Sequence, residues 1–275
     1  MLTDAEEVTP IEQSVLVIVP AFGASNLTDT VVGDLLDCDV ALVPNYRIVV
    51  VDNRGDYESP YQDERVSVHR PGSNTRWIGA TNWGLEHAMA QGDDVCMVVN
   101  NDTRLSPNFV YWLALSVIEN DDVAIAAACY NDFWLHQRVW TVQGSAASFE
   151  PRRAYREVPF CDGTALAFNI DLVRVVGILN VEAFPRHGYG ADVDYALRAR
   201  ADGLRCLVTE TAYVDHAGRG TMNQLPAETH DVARAEITTG LNNLWGDQWR
   251  KIAGLTERAF EPNNTGSTRA WYVGW

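Results

Sequence analysis

Lysine is almost absent from this chain. Of its 21 basic residues only Lys251 is a lysine, and 37 acidic residues outnumber them for a formal net charge of −16. So acidic a surface repels phosphate backbones and anionic lipid, which argues against tight nucleic-acid binding and simple electrostatic membrane adhesion. No run approaches the roughly 20 apolar residues that span a bilayer, and no basic amphipathic helix is present to lie on one. The opening MLTDAEEVTP is acidic and polar, unlike a secretory signal. Cysteines are few, odd in number and scattered (Cys38, Cys96, Cys129, Cys161, Cys206), with no C-x-x-C. Reduced, buried thiols in a cytoplasmic protein are the expectation. Internal repeats and low-complexity stretches are also missing. What remains is an ordinary globular composition, 47% hydrophobic and 21% charged, in 275 residues, enough for a large core.

Continuous apolar runs alternate with helical patterns through the first half. Residues 14–20 (SVLVIVP), 46–52 (YRIVVVD) and 94–100 (DVCMVVN) read as strands buried on both faces, as in a parallel sheet covered by helices. Residues 65–69 and 123–129 read as further strands. Helices are expected over 27–36 (capped by Asn26 or Thr28), over 78–91 with Gly92 as C-cap, and over 108–119. The second half predicts a strand at 160–169, short helices at 171–176 and 192–201, and a strand at 204–208. Residues 212–216 should lead out of the sheet, 228–260 should be mostly helical, and the 261–275 tail shows no period. The implied fold is α/β, an open, mostly parallel sheet flanked by helices. Ligands bind such sheets beyond the carboxyl ends of the strands.

Three polar clusters stand at such ends. Asn100-Asn101-Asp102 offers hard oxygen donors suited to Mg²⁺ or Mn²⁺ held with phosphates, and equally suits a plain turn. Asp192 and Asp194 open a helix after the Gly188-Tyr189-Gly190 lead. The helix dipole alone accounts for acids there, but a general base on a helix start behind a mobile lid is the functional alternative. His216 follows the last strand, either as a structural side chain or as a neutral metal ligand.

Taken in order, these segments resemble a family 2 glycosyltransferase of the GT-A fold, nearest to rhamnosyltransferase-like members, over about residues 14–222. Val17-Ile18-Val19-Pro20-Ala21-Phe22-Gly23 is similar to the family's opening strand, and Val49-Val50-Val51-Asp52-Asn53 to its second. Residues 74–84 (NTRWIGATNWG) resemble its Asn- and Gly-rich helix start beside the nucleotide. Val99-Asn100-Asn101-Asp102-Thr103 matches its metal motif, Cys161-Asp162-Gly163-Thr164-Ala165 its acceptor-side strand, residues 190–198 (GADVDYALR) its acidic helix, and Asp215-His216 its late metal ligand. Three departures stand out: Asn100 for the commoner Asp, Ala191 for Glu, and Arg76 where Gly is frequent.

The resemblance implies inverting transfer of a hexose-type sugar from a UDP-, dTDP- or GDP-linked donor to a hydroxyl of a glycan or protein. Asp192 is its base. Pro20, Ala21, Phe22, Asp52, Asn82 and Asn101 are its donor contacts, with Asp52 accepting from the nucleotide base; Arg76, a departure from the family, is either a further donor contact or simply an exposed residue. Asp162, with Gly163, is its candidate for the sugar hydroxyls and equally suits a turn, and Asp194 orients the helix start or the donor sugar. Trp134 is one of several aromatics suited to an acceptor platform under sugar rings, or to the core. Asn100, Asp102 and His216 hold the divalent cation, Mn²⁺ or Mg²⁺. The domain spans 1–222, with a nucleotide half at 14–129 and an acceptor half at 130–222. Residues 223–275 form a helical extension and aromatic tail through which copies of the chain could associate. Two other classes stay open: a non-catalytic carbohydrate- or nucleotide-binding relative, suggested by Asn100 and Ala191, and a sugar nucleotidyltransferase. The loop Ala21-Phe22-Gly23-Ala24-Ser25 lacks the basic residues the latter class uses.

Overall fold

The computed structural model describes residues 8–131, 137, 145–216 and 227–253, excepting the side chains of 227–230. Strands β1 (Val15–Ala21), β2 (Tyr46–Asp52), β3 (Val66–His69), β4 (Val95–Val99), β5 (Thr103–Leu105), β6 (Val123–Tyr130), β7 (Tyr155–Glu157), β8 (Ala165–Asn169) and β9 (Arg205–His216) form one sheet. Its order is β3-β2-β1-β4-β8-β6-β9-β5, with β7 also on β9. The helices are α1 (Ser25–Leu36), α2 (Arg76–Gln91), α3 (Phe109–Ile118), α4 (Ile170–Val176), α5 (Ala191–Ala201), α6 (Ala227–Trp245) and α7 (Trp249–Ile252).

The continuous apolar runs have a direct cause. Successive strand side chains point to opposite faces, and both faces are covered. Leu16 and Ile18 of β1 face the core shared with α2, α4 and α5, while Val15, Val17 and Val19 face that of α1 and α3. Gly92 closes α2 at φ 78, as its position predicts.

The α/β class holds, but the sheet is parallel only in part. β3, β2, β1 and β4 run parallel, as do β6 and β9. β8 lies antiparallel to both β4 and β6, and β9 antiparallel to β5 and β7. Parallel neighbours need a crossover connection; no α-helix lies between β6 and β8 among the described residues.

Two local expectations are corrected. Residues 212–216 do not leave the sheet: β9 runs on to His216, paired first with β7 and then with β5. Neither Asn26 nor Thr28 caps α1. Ala24 precedes it in a left-handed conformation, and the Thr28 hydroxyl instead accepts a hydrogen bond from the Asn101 amide (3.1 Å).

Candidate active site

Strand directions bring the polar clusters to one edge of the sheet. β1, β2, β4, β6 and β9 all end there, and the antiparallel β8 and β5 begin there. Ala21 pairs with Asp52, and the Asn53 N–H donates to the Ala21 carbonyl (2.9 Å). Thr75 donates to Asn53 Oδ1 through its N–H (2.8 Å) and hydroxyl (2.7 Å), seating the start of α2 beside β2. The Asn100 N–H donates to the Thr164 carbonyl (2.9 Å), joining the end of β4 to the start of β8.

Asp192 stands at this edge in the first turn of α5. Its Oδ2 accepts from the Gly163 N–H (3.1 Å) and its Oδ1 from the Val193 N–H (2.9 Å). Burial, and then the neighbouring Asp162 carboxylate, push its pKa up to about 7, against the pull of those N–H donors. Part of its surface stays open. A carboxylate that titrates near neutrality and remains reachable has the properties of a general base. Asp162 closes its own turn, its Oδ1 accepting from the Thr164 N–H (3.2 Å) and hydroxyl (2.5 Å). Gly163 must be small: an added Cβ would lie 2.7 Å from the Trp77 indole.

Asp102 and His216 are brought together by the pairing of Thr103 with His216 across β5 and β9. His216 Nε2 stands 3.5 Å from Asp102 Oδ1, and both side chains are about nine-tenths buried. A carboxylate oxygen and an imidazole nitrogen at this spacing fit two adjacent ligands of one Mn²⁺-type ion. Among the described residues no group of three or more His, Cys, Asp or Glu is placed to hold a metal. The protein's share of such a site is therefore small, Asn100 adding at most a neutral oxygen.

Phe22, just past β1, is 53% exposed, while Pro20 is partly exposed and Ala21 buried. Arg76 is exposed and left-handed at φ 63, its N–H donating to Asn74 Oδ1 (2.9 Å). That conformation costs a non-glycine residue about 1–2 kcal/mol, which accounts for the glycine frequent at this position in the resembled family.

Several residues expected to contact ligand also make hydrogen bonds within the fold. Asp52 Oδ1 accepts from the N–H groups of Arg54 (3.1 Å) and Gly55 (2.8 Å), and Oδ2 from that of Tyr57 (2.8 Å). Burial works to raise its pKa, but these donors and Arg70 hold it below the ordinary value. A carboxylate so engaged and 1% exposed closes its loop. Asp52→Ala is expected to cost about 2–4 kcal/mol of stability in urea melts at pH 7. Because the folded pKa is lowered, this contribution is complete above about pH 4 and is lost as pH falls through the folded value.

Asn82 is likewise consumed. Its amide donates to the Leu179 carbonyl and accepts from the Leu179 N–H, both at 2.9 Å, so it faces the protein rather than a donor. Asn82→Ala should destabilise by about 2–4 kcal/mol and leave nucleotide affinity unchanged by calorimetry. Asn101, 9% exposed, spends its amide on Thr28. Asp194 is held by the fold as well. Two residues along a helix point about 200° apart, so it turns away from Asp192, accepting from Arg198 Nε and Trp245 Nε1 (both 2.9 Å). The Gly188–Gly190 lead is not a free lid. A Cβ on Gly188 would meet Ile78 at 2.8 Å and one on Gly190 would meet Phe184 at 2.9 Å. Trp134 lies outside the described residues.

Trp77, Gln137 and Glu236 were missed by sequence reasoning. Gln137 is 1% exposed and its Oε1 accepts from the Asp162 N–H. Glu236 carried a readable signal, a charge on the buried stripe Ala233, Glu236, Gly240 and Leu241.

Comparison with known proteins gives the family and the fold. The sequence model of the family described as Glycosyl transferase family 2 matches residues 16–177. Uncharacterized protein Mb1552 of Mycobacterium bovis and Uncharacterized protein Rv1525 of Mycobacterium tuberculosis are each 38% identical over 244 residues, 88% of this chain and 88% of theirs. Among solved structures the chain is similar to the mannosyltransferase PcManGT from Pyrobaculum calidifontis in complex with GDP-Man and Mn²⁺. The TM-score is 0.54 at 17% identity, over 90% of this chain and 76% of that one. It is also similar to GalNAc-T7 with UDP, GalNAc and Mn²⁺, at TM-score 0.53 and 13% identity, over 74% of this chain and 44% of that one. The chain thus spans less than half the length of GalNAc-T7. At such identities the likeness is one of fold, the GT-A arrangement. Asp192 and His216 lie past the last family-matched residue.

Proposed function

The chain belongs to glycosyl transferase family 2, and from that premise we propose that it moves a sugar from a nucleotide-diphosphate donor to an acceptor hydroxyl with inversion. The observation that carries this reading is the Asp192 carboxylate, raised toward neutrality at the sheet edge where Asp102 and His216 also meet. Asp192 takes the proton from the acceptor hydroxyl as its oxygen bonds to the anomeric carbon. The bond from that carbon to the diphosphate oxygen breaks on the opposite face, and the nucleoside diphosphate departs. One displacement inverts the configuration without a covalent enzyme intermediate.

The other residues bind and orient. Phe22 offers an exposed ring to the nucleotide base. Arg76, held in its strained turn, offers its guanidinium to the diphosphate. Asp162 and Gly163 line the sugar side, beside Trp77. Asp102 and His216, with Asn100, would hold the divalent cation, which when bound neutralises charge developing on the leaving diphosphate. The mannosyltransferase and GalNAc-T7 structures each contain Mn²⁺ with a nucleotide or nucleotide-sugar, and this supports a metal-assisted reaction here. No helix among the described residues is long and apolar enough to cross a membrane. A glycan or protein acceptor is favoured over a lipid-linked one on the chain's charge.

The test is a thermal-shift screen of UDP-, GDP- and dTDP-sugars with Mn²⁺, followed by assay of the stabilising donor for transfer and for release of sugar to water. A ligand that binds the native state raises its melting temperature. Stabilisation by one nucleotide class with turnover is the expected result. Binding with neither transfer nor hydrolysis would leave a binding protein.

A further inference from the structure

Helix α6 lies beyond the family-matched residues, yet it grips both sides of the segment that carries Asp192. Glu236, 6% exposed, accepts the Arg186 N–H on Oε1 (2.5 Å) and the His187 N–H on both oxygens (3.0 and 2.9 Å). Those amides belong to the turn that feeds Gly188 and Gly190 into α5. Further along, Gly240 lets α6 close on that turn: an added Cβ would lie 2.3 Å from the Phe184 ring and 2.8 Å from the Ala183 carbonyl. An added Cβ on Gly190, at φ 96, would lie 2.9 Å from the same ring and 3.4 Å from the Ile237 backbone. Past Asp192, the Trp245 indole donates to Asp194. α6 therefore holds the backbone before the catalytic carboxylate and the side chain after it.

We propose that Glu236 is a positioning residue for Asp192, fixing the Arg186–His187 backbone so that α5 presents its first-turn carboxylate to the acceptor hydroxyl. The inference rests on the reading of Asp192 as base. A buried carboxylate that accepts three N–H contacts on one turn forms charge-assisted bonds, stronger than neutral ones. Losing them frees the turn without touching any substrate contact. Misplacing a reacting group by about 1 Å costs roughly 10²-fold in rate. Among the described residues the titratable groups that bear on Asp192 are Asp162 and the buried Cys161 thiol, both on the segment entering β8, so α6 acts on Asp192 through backbone position rather than through charge.

The experiment compares Glu236→Gln, which keeps one acceptor, and Glu236→Ala with the parent chain. Steady-state kinetics with the stabilising donor are measured from pH 5 to 9, beside ¹³C NMR titration of the Asp192 carboxylate, which needs no substrate. Expected are a kcat lower by roughly 10²-fold in the alanine variant, an intermediate loss in the glutamine variant, and a donor KM unchanged within about twofold. The ascending pH limb and the Asp192 titration should both move to lower pH as water reaches the carboxylate. Trp245→Phe, which keeps an aromatic ring while removing the indole N–H and part of the ring's bulk, should move the titration the same way and serves if Glu236→Ala does not fold. A parent-like kcat and a parent-like titration would overturn the proposal, as would a melting-temperature loss with both unchanged. If the parent transfers no sugar but the titration shifts, the coupling stands and the transferase reading fails.

Discussion

Asp192→Asn should lose transfer activity by about 10²–10⁴-fold and become progressively more stable than the parent as pH rises. Both effects follow from one carboxylate. The folded protein holds Asp192 near pKa 7 because it is largely buried and faces Asp162, whereas in the unfolded chain it titrates near 4. Between these values the native state binds more protons than the unfolded state, so the group's contribution to stability falls as pH rises from about 4 to 7. At most about 4 kcal/mol is involved. Asparagine keeps the shape and never ionises, so this loss disappears. Thermal melts at pH 5 and pH 8 check it: the melting-temperature advantage of Asp192→Asn should be larger at pH 8. An equal difference at both values would show that Asp192 is not held protonated by its surroundings. Near-parental turnover in the variant would remove it as the base.

The second large effect is expected at Asp102. Replacing it by alanine should reduce turnover by more than about 100-fold and abolish the extra stabilisation that Mn²⁺ gives to nucleotide binding in thermal melts. The Asp102 carboxylate stands 3.5 Å from His216 Nε2, and antiparallel pairing of β5 and β9 fixes that meeting. Asn100 supplies only a neutral oxygen, so it cannot replace the lost charge. His216→Ala should weaken Mn²⁺ dependence in the same direction but less, since an imidazole brings no charge. Chelator treatment of the parent should match the Asp102→Ala rate, and full activity after chelation would dispose of the cation at this pair.

Most strands were legible because burial on both faces leaves uninterrupted apolar runs, and their ends because polar residues collect where the apolar run stops; the three-residue β5 and β7 carry no such run and were not foreseen. That was enough to place Asp102, Asp192 and His216 at one edge. It was not enough to say what each polar group binds. Asp52 and Asn82 were read as ligand contacts, yet Asp52 is spent on a loop five residues long and Asn82 on Leu179, 97 positions away. Asp194 meets Trp245, 51 positions away, for the same reason. A polar side chain near a site looks alike in sequence whether it serves a ligand or the fold, because its partner is chosen by packing. The antiparallel insertion of β8 was hidden too, since its residues, buried like those of a parallel strand, carry no mark of direction. Arg76 is the converse case, where a departure from glycine at a left-handed position marks retained strain at the edge of the site.

Proton NMR of the anomeric signal of the first product formed, with the donor chosen by the thermal-shift screen, bears most directly on single displacement assisted by Asp192. The account predicts that the parent's product carries the anomeric configuration opposite to the donor, and that Asp192→Asn still binds the nucleotide but forms none of it. Retained configuration, or product accumulating at the parental rate in that variant, would contradict it.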